Sequence, residues 1–197
     1  MENKQENQKG IQMETQIGTQ IGTQMGIQME TQIENQIDNQ PDIKIVDASP
    51  RAQKAMALFK EGFNCSQSVF LAFDDLYNID RSTALKLSSS FGGGMGRLRE
   101  VCGAVSGMFM VAGVLYGYDS PDAHAEKTAH YERIQELAHR FSAHTGSIVC
   151  RELLGLNIKE DSPVPERRSE TYYKKRPCVQ MVGLAAAIME QYIVETE

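Results

Sequence analysis

The residues of this sequence best suited to chemistry are its four cysteines, Cys65, Cys102, Cys150 and Cys178. A thiolate is both a nucleophile towards disulfides and a soft metal ligand. Four thiols therefore admit dithiol–disulfide cycling, a metal site built from sulfur, or inert packing as small hydrophobes. No two of them form a Cys-x-x-Cys pair. That spacing argues against a thioredoxin-type motif and against a zinc ribbon, because each relies on a local pair. Any joint site has to be assembled by the fold.

The four share one placement on the inferred helices. Cys65 follows Asn64, a good N-cap; Cys102 follows the glycine-rich run "GGGMGR"; Cys178 follows Pro177; and Cys150 opens the short segment "CRELLG". Unpaired amides and the positive dipole end of a helix N-terminus favour thiolate over thiol, so lowered pKa values are expected at these positions. Basic neighbours strengthen the expectation: Arg97 and Arg99 before Cys102, Arg151 beside Cys150, and Lys174, Lys175 and Arg176 before Cys178. Each cysteine also heads an apolar stripe. The sulfurs are thus expected to point inward, to where the helices meet.

The elements that must position them read as helices. Ser49 and Pro50 start the first, with Ala52, Met56 and Phe59 on one side and Gly62 as its stop. The segment "NCSQSVFLAFDDLY" carries Cys65, Val69, Ala72 and Leu76 at helical spacing, and Asp80 opens a third helix, "DRSTALKLSSSF". Residues 101–118 form an uncharged run of 18, long enough for a membrane span, but four glycines, a serine and a cysteine dilute it. A central helix buried on all sides is expected there, and no membrane partner. Gly103 and Gly107, one turn apart, would let another helix approach closely. Ser120 and Pro121 signal the next helix, with Lys127, Tyr131, Ile134, Ala138 and Phe141 on one face and Gly146 at its end. A polar loop through Pro163 and Pro165 leads to the last helix, whose stripe is Cys178, Val182, Ala185, Met189 and Tyr192. Without a strand-like run, residues 49–195 are expected to form an all-α compact bundle of about five to six helices.

Residues 1–48 are of another kind. From Gln8 to Gln40 a glutamine recurs at every fourth position. A period of four drifts about 40° per repeat on a helix of 3.6 residues per turn, so the apolar residues cannot hold one helical face. Alternation would suit a strand, but no partner sheet is visible, and a disordered low-complexity tail with a linker, "DIKIVDASP", is expected. Residues 1–50 hold three lysines against eight acidic residues, whereas 51–197 hold 17 basic against 18 acidic. Such a balance gives no electrostatic reason for binding nucleic acid or an anionic membrane. The start of the chain shows no basic patch followed by an apolar region, so a cytoplasmic location is expected, where structural disulfides are rare.

The hexapeptide "CGAVSG", Cys102 to Gly107, with one cysteine upstream and two downstream, resembles the C_GCAxxG_C_C family of redox-active proteins. The stretches "FNCSQSVF", "FGGGMGR" and "CRELLG" fit that family as well, and the likeness covers roughly residues 51–194. It implies a redox or metal role for Cys65, Cys102, Cys150 and Cys178, as catalytic thiols or as ligands. The family is in turn similar to part of split-Soret cytochrome c, which implies a sulfur-ligated iron site, such as an iron–sulfur centre, as one option. Haem is not implied, because the Cys-x-x-Cys-His attachment motif is missing.

Other motifs carry less. "GGGMGR" lacks the Gly-Lys-Ser or Gly-Lys-Thr ending of a phosphate loop and follows a helix, so it reads as a turn delivering Cys102. His124, His130, His139 and His144 do not share one helical face and read as solvated residues, and Met95, Met108 and Met110 read as core filling. The leading expectation is a redox protein using its four cysteines for electron transfer or thiol–disulfide exchange with a redox partner protein, with Cys102 foremost. A homodimer is compatible with it. The competing expectations are a non-enzymatic interaction module with buried cysteines, and structural zinc held by the four sulfurs.

Overall fold

The computed structural model describes residues 41–158 and 161–196. The glutamine-repeat tail expected to be disordered lies outside the described residues. The segment read as a linker is a helix, α1 (Pro41–Ala48). Its Ile45 and Val46 pack on the core, which is why this stretch holds regular structure without a strong start signal.

The six helices expected from the sequence are all present: α2 (Pro50–Glu61), α3 (Cys65–Leu71), α4 (Arg81–Ser89), α5 (Gly103–Tyr116), α6 (His124–Thr145) and, after the short α7 (Glu170–Lys175), α8 (Cys178–Thr196). The start of α2 follows the rule of its residue types: Ser49 Oγ accepts from the Ala52 amide at 2.9 Å with Pro50 at the first helical position. Such a cap is worth about 1 kcal/mol. Gly62 ends α2 with φ at +118°, a conformation that favours glycine. Asn64 and Gln67 form a reciprocal capping box at the head of α3.

The closest packing sets α8 against α2 and α5, and α3 against α5 and α4. Phe59, Phe70, Phe73, Met108, Leu137, Phe141, Ile188 and Met189 fill the space between them, all fully buried. Each large apolar side chain so buried contributes roughly 1.5–3 kcal/mol. Among the described residues there is no strand, only one antiparallel bridge between Val101 and Val149. No helix among them is long and apolar enough to cross a membrane.

Three local expectations are corrected by the structure. The central helix α5 is buried from Gly103 to Met108 and at Val111 and Ala112, but Val114 is exposed. The longest unbroken buried run belongs to α8, from Val182 through Met189, because α2, α3, α5 and α6 pack around it, while its end is exposed at Val194. Helix α6 starts at His124 and not behind Pro121, since the Ser120 hydroxyl accepts from the Asp122 amide and makes a turn of that stretch. Its buried face is His130, Leu137 and Phe141. Lys127 instead lies over the rings of Tyr118 and Tyr131 at the surface, at 5.8 Å from each. His130 is therefore buried, unlike His124, His139 and His144, which are exposed as expected. Finally α3 is shorter than its apolar stripe suggests, ending at Leu71 and leaving Leu76 exposed.

Candidate functional site

The glycine run is the local structure that brings the site together. Residues 92–95 make a single distorted helical turn in which Gly93 and Gly94 have φ of +67° and +73°. Met95, Arg97 and Arg99 also adopt positive φ, at 61°, 74° and 61°. Left-handed backbone at non-glycine residues costs roughly 1–2 kcal/mol each and persists only where the surroundings impose it. Here the surroundings are a carboxylate and a bridge. Asp161 accepts from both Arg97, at 2.6 Å, and Arg99. The Cys102 amide donates to the Ile148 carbonyl at 2.8 Å, and the Cys150 amide donates to that of Glu100 at 2.6 Å. The bridge thereby ties the segment before Cys102 to the segment before Cys150.

All four cysteines stand at helix starts, as the sequence implied. Cys65 and Cys178 are the first residues of α3 and α8, Cys150 opens the turn Cys150–Leu153, and Cys102 is the N-cap of α5. They are free thiols, Cys102 and Cys150 buried, Cys65 and Cys178 half-buried. All four line one cavity of about 230 Å³. The glycines explain how they come so near. A Cβ on Gly103 would meet the Phe91 carbonyl oxygen at 2.8 Å and the Cys65 Cβ at 3.1 Å, and one on Gly107 would meet the Ser66 carbonyl oxygen at 2.7 Å. A Cβ on Gly94 would meet the Cys150 Cβ at 2.6 Å. The small residues of "CGAVSG" thus let α3 lie directly on the head of α5.

The acidity of the thiols departs from the expectation. Among the four, only Cys178 has its pKa lowered: the Cys65 thiol hydrogen-bonds to it and stabilises the thiolate, with help from the charge of Arg176. The same bond, together with burial, pushes the Cys65 thiol well up. Burial raises Cys102 strongly, outweighing the favourable first-turn amides of Ala104 and Val105. It raises Cys150 too, against the opposing effect of Arg99, whose Nη1 lies 3.9 Å from the Cys150 sulfur. A helix start favours a thiolate only where solvent or a partner also offsets the cost of burying charge.

The cavity wall is basic. Arg97, Arg99, Arg168 and Arg176 line it, against one lining carboxylate, Glu166, paired with Arg176. Arg168 has no carboxylate partner among the described residues; its guanidinium donates to the carbonyls of Phe59 and Phe63 and lies 4.1 Å from the Phe59 ring centroid. Arg99 is 2% exposed, and its Nε is buried with no hydrogen-bond partner. The sequence offered no signal for Arg168, Asp161 or Tyr172, which sit in the polar loop and in α7. Burial and nearby thiols push the Tyr172 hydroxyl up to about 12. The four thiols do not close on a point: among the described residues no group of three or more His, Cys, Asp or Glu side chains could hold a metal ion.

An all-α fold whose cysteines, drawn from four helix starts, line one basic cavity defines a multi-thiol protein. The chain belongs to the C_GCAxxG_C_C family, described as "Putative redox-active protein (C_GCAxxG_C_C)", which matches over residues 63–192. No match was found among curated proteins or among solved structures.

Proposed function

We propose that this protein performs thiol–disulfide exchange at its cavity, with Cys178 as the attacking thiol and Cys65 as the resolving thiol. The observation that carries this reading is that Cys65 and Cys178 line one cavity as half-buried free thiols, more open than the buried Cys102 and Cys150, with the acidity of the two shifted in opposite directions. Unequal acidity is what an attacking and resolving pair needs.

The Cys178 thiolate attacks one sulfur of a substrate disulfide. A bond forms between the Cys178 sulfur and that atom, the substrate disulfide breaks, and its other sulfur leaves as a thiolate with the bonding pair. The leaving thiolate takes the Cys65 proton. The Cys65 thiolate then attacks Cys178, the two form a disulfide, and the second substrate sulfur leaves as a thiolate that is protonated by water. The substrate gains two electrons and the protein loses two. Cys102 lines the same cavity and would pass the disulfide on by further exchange. In this reading Cys102, foremost in the sequence, is a relay thiol.

An iron–sulfur centre is the second reading, favoured by the presence of all four cysteines in the wall of one basic cavity. A cluster spreads its ligands wider than a single ion does and would supply one-electron transfer. Its ligands would be Cys65, Cys102, Cys150 and Cys178. A reducing cytoplasm is the compartment in which we place the protein, since unpaired thiols persist there.

The test is metal analysis and thiol titration on protein purified without oxygen, followed by one equivalent of a small disulfide. Exchange predicts four titratable thiols, no stoichiometric metal, and a Cys65–Cys178 cross-linked peptide after oxidation. Stoichiometric iron with masked thiols would establish the second reading instead, and four unreactive thiols without metal would leave a packing role.

A further inference from the structure

Resting on the exchange reading, we infer that the substrate is an anionic, carboxylate-bearing low-molecular-weight disulfide, held by the arginines of the cavity with its negative groups extending into a second pocket beside it. Four guanidinium groups, those of Arg97, Arg99, Arg168 and Arg176, line the thiol cavity. Their carboxylate partners are Asp161, shared by two of them, and Glu166. Two positive charges remain after these pairings. Even with Cys178 ionised the cavity keeps a positive excess, and a basic cavity of restricted size concentrates anions.

The neighbouring pocket, of about 500 Å³, shares Leu154, Glu166, Tyr172 and Arg176 with the thiol cavity. It adds Arg167 and Lys175, with no further carboxylate. A molecule longer than the thiol cavity would place its disulfide by Cys178 and its carboxylates against Arg176, Arg167 and Lys175. Guanidinium groups suit this task, since their fork of N–H donors matches a carboxylate. The buried Arg99 Nε, without a partner, marks a donor that the chain itself leaves unused beside the thiols. The volume of about 230 Å³ around the sulfurs suits a small molecule better than a folded protein's disulfide.

The wall between the pockets is the pair Arg176–Glu166, which supplies variants of opposite sign. The experiment measures the rate at which the reduced full chain reacts with a dianionic aromatic disulfide, 5,5′-dithiobis(2-nitrobenzoate), a neutral one, 2,2′-dithiodipyridine, and a cationic one, cystamine. Each rate is divided by that of a free small thiol with the same reagent. The expected result is a normalised preference for the dianion of roughly tenfold or more at low salt, shrinking as salt screens it. Arg176→Gln should reduce the ratio of dianion to neutral rate several-fold, and Glu166→Gln should raise it. Equal normalised rates for the three reagents, or ratios that do not move oppositely in the two variants, would overturn the inference. Cross-linked Cys65–Cys178 forming equally fast from all three would sink the anion preference and leave the exchange reading standing. A Cys178→Ser protein that still oxidises at the wild-type rate would instead remove the exchange reading itself.

Discussion

Gly103 and Cys65 stand so close that a Cβ on the glycine would lie 3.1 Å from the cysteine Cβ, with the Phe91 carbonyl oxygen nearer still at 2.8 Å. The contact joins the head of α5 to the head of α3, and with it Cys102 to the Cys65–Cys178 pair. The motif glycine therefore acts through space and not through flexibility.

Replacing it tests that role. Gly103→Ala should cost about 1–3 kcal/mol in denaturant unfolding, because the carbonyl it meets belongs to backbone that cannot rotate away. It should also slow cross-linking of Cys65 to Cys178 by displacing α3. Gly113→Ala is the control: it lies in the same helix with nothing within 4 Å of the added methyl, so it should be neutral or stabilising. Equal losses for both variants would mean that close approach is not what Gly103 provides.

The pH dependence of alkylation reports the thiol pair. Cys178 has its pKa below the ordinary value of 9.0. Its iodoacetamide rate should thus climb and level off at lower pH than that of Cys65, Cys102 or Cys150, each of which is raised. Cys65→Ala removes the hydrogen bond that stabilises the thiolate, so the Cys178 midpoint should move upward. A midpoint unchanged in that variant would show that the hydrogen bond is not the cause.

Asp161 holds Arg97 and Arg99 in place, and those charges lower its pKa from 3.8. A carboxylate with a depressed folded pKa contributes stability that is fully present above its unfolded value and lost as pH falls through the folded one. Asp161→Asn should accordingly be less stable than wild type at neutral pH, and the gap should narrow below about pH 3.8. The check is a pair of urea titrations, at pH 7 and pH 3. A gap independent of pH would assign the loss to packing.

His130 acts in the same direction in a higher pH window. Burial, aided by Arg133, lowers its pKa from 6.5, and its Nδ1 is buried without a partner. Since the folded state resists protonation, the wild type should lose stability as pH drops from about 6.5 through the folded pKa. His130→Gln should flatten that part of the curve. Thermal midpoints between pH 7 and pH 5 for the two proteins decide it: parallel curves would count against any titration of His130.

Much of the fold was legible because local signals and helical periodicity agree here. Ser49, Asn64, Asp80, Gly62 and Gly146 mark the ends where they stand. Cysteines at four helix starts, and the closeness allowed by Gly103 and Gly107, could likewise be inferred from residue type and spacing, since capping and close approach are properties of short stretches. Three things were not legible. Ser120 and Pro121 carry a start signal that a local turn overrides, and the buried face of α6 falls on His130 because α5 and α8 decide which side is covered. The acidity of each thiol depended on neighbours distant in the chain, Cys65 for Cys178 and Arg99 for Cys150.

By itself, then, the sequence determined that the domain is helical and that each cysteine opens a helix, because both follow from interactions within a few residues. Only the tertiary structure decided that the four thiols share one cavity, that Cys178 and not Cys102 is the acidic one, and that arginines from the polar loop surround them. Those properties arise from desolvation and charge across long separations, where the balance between burial and partner is set by packing.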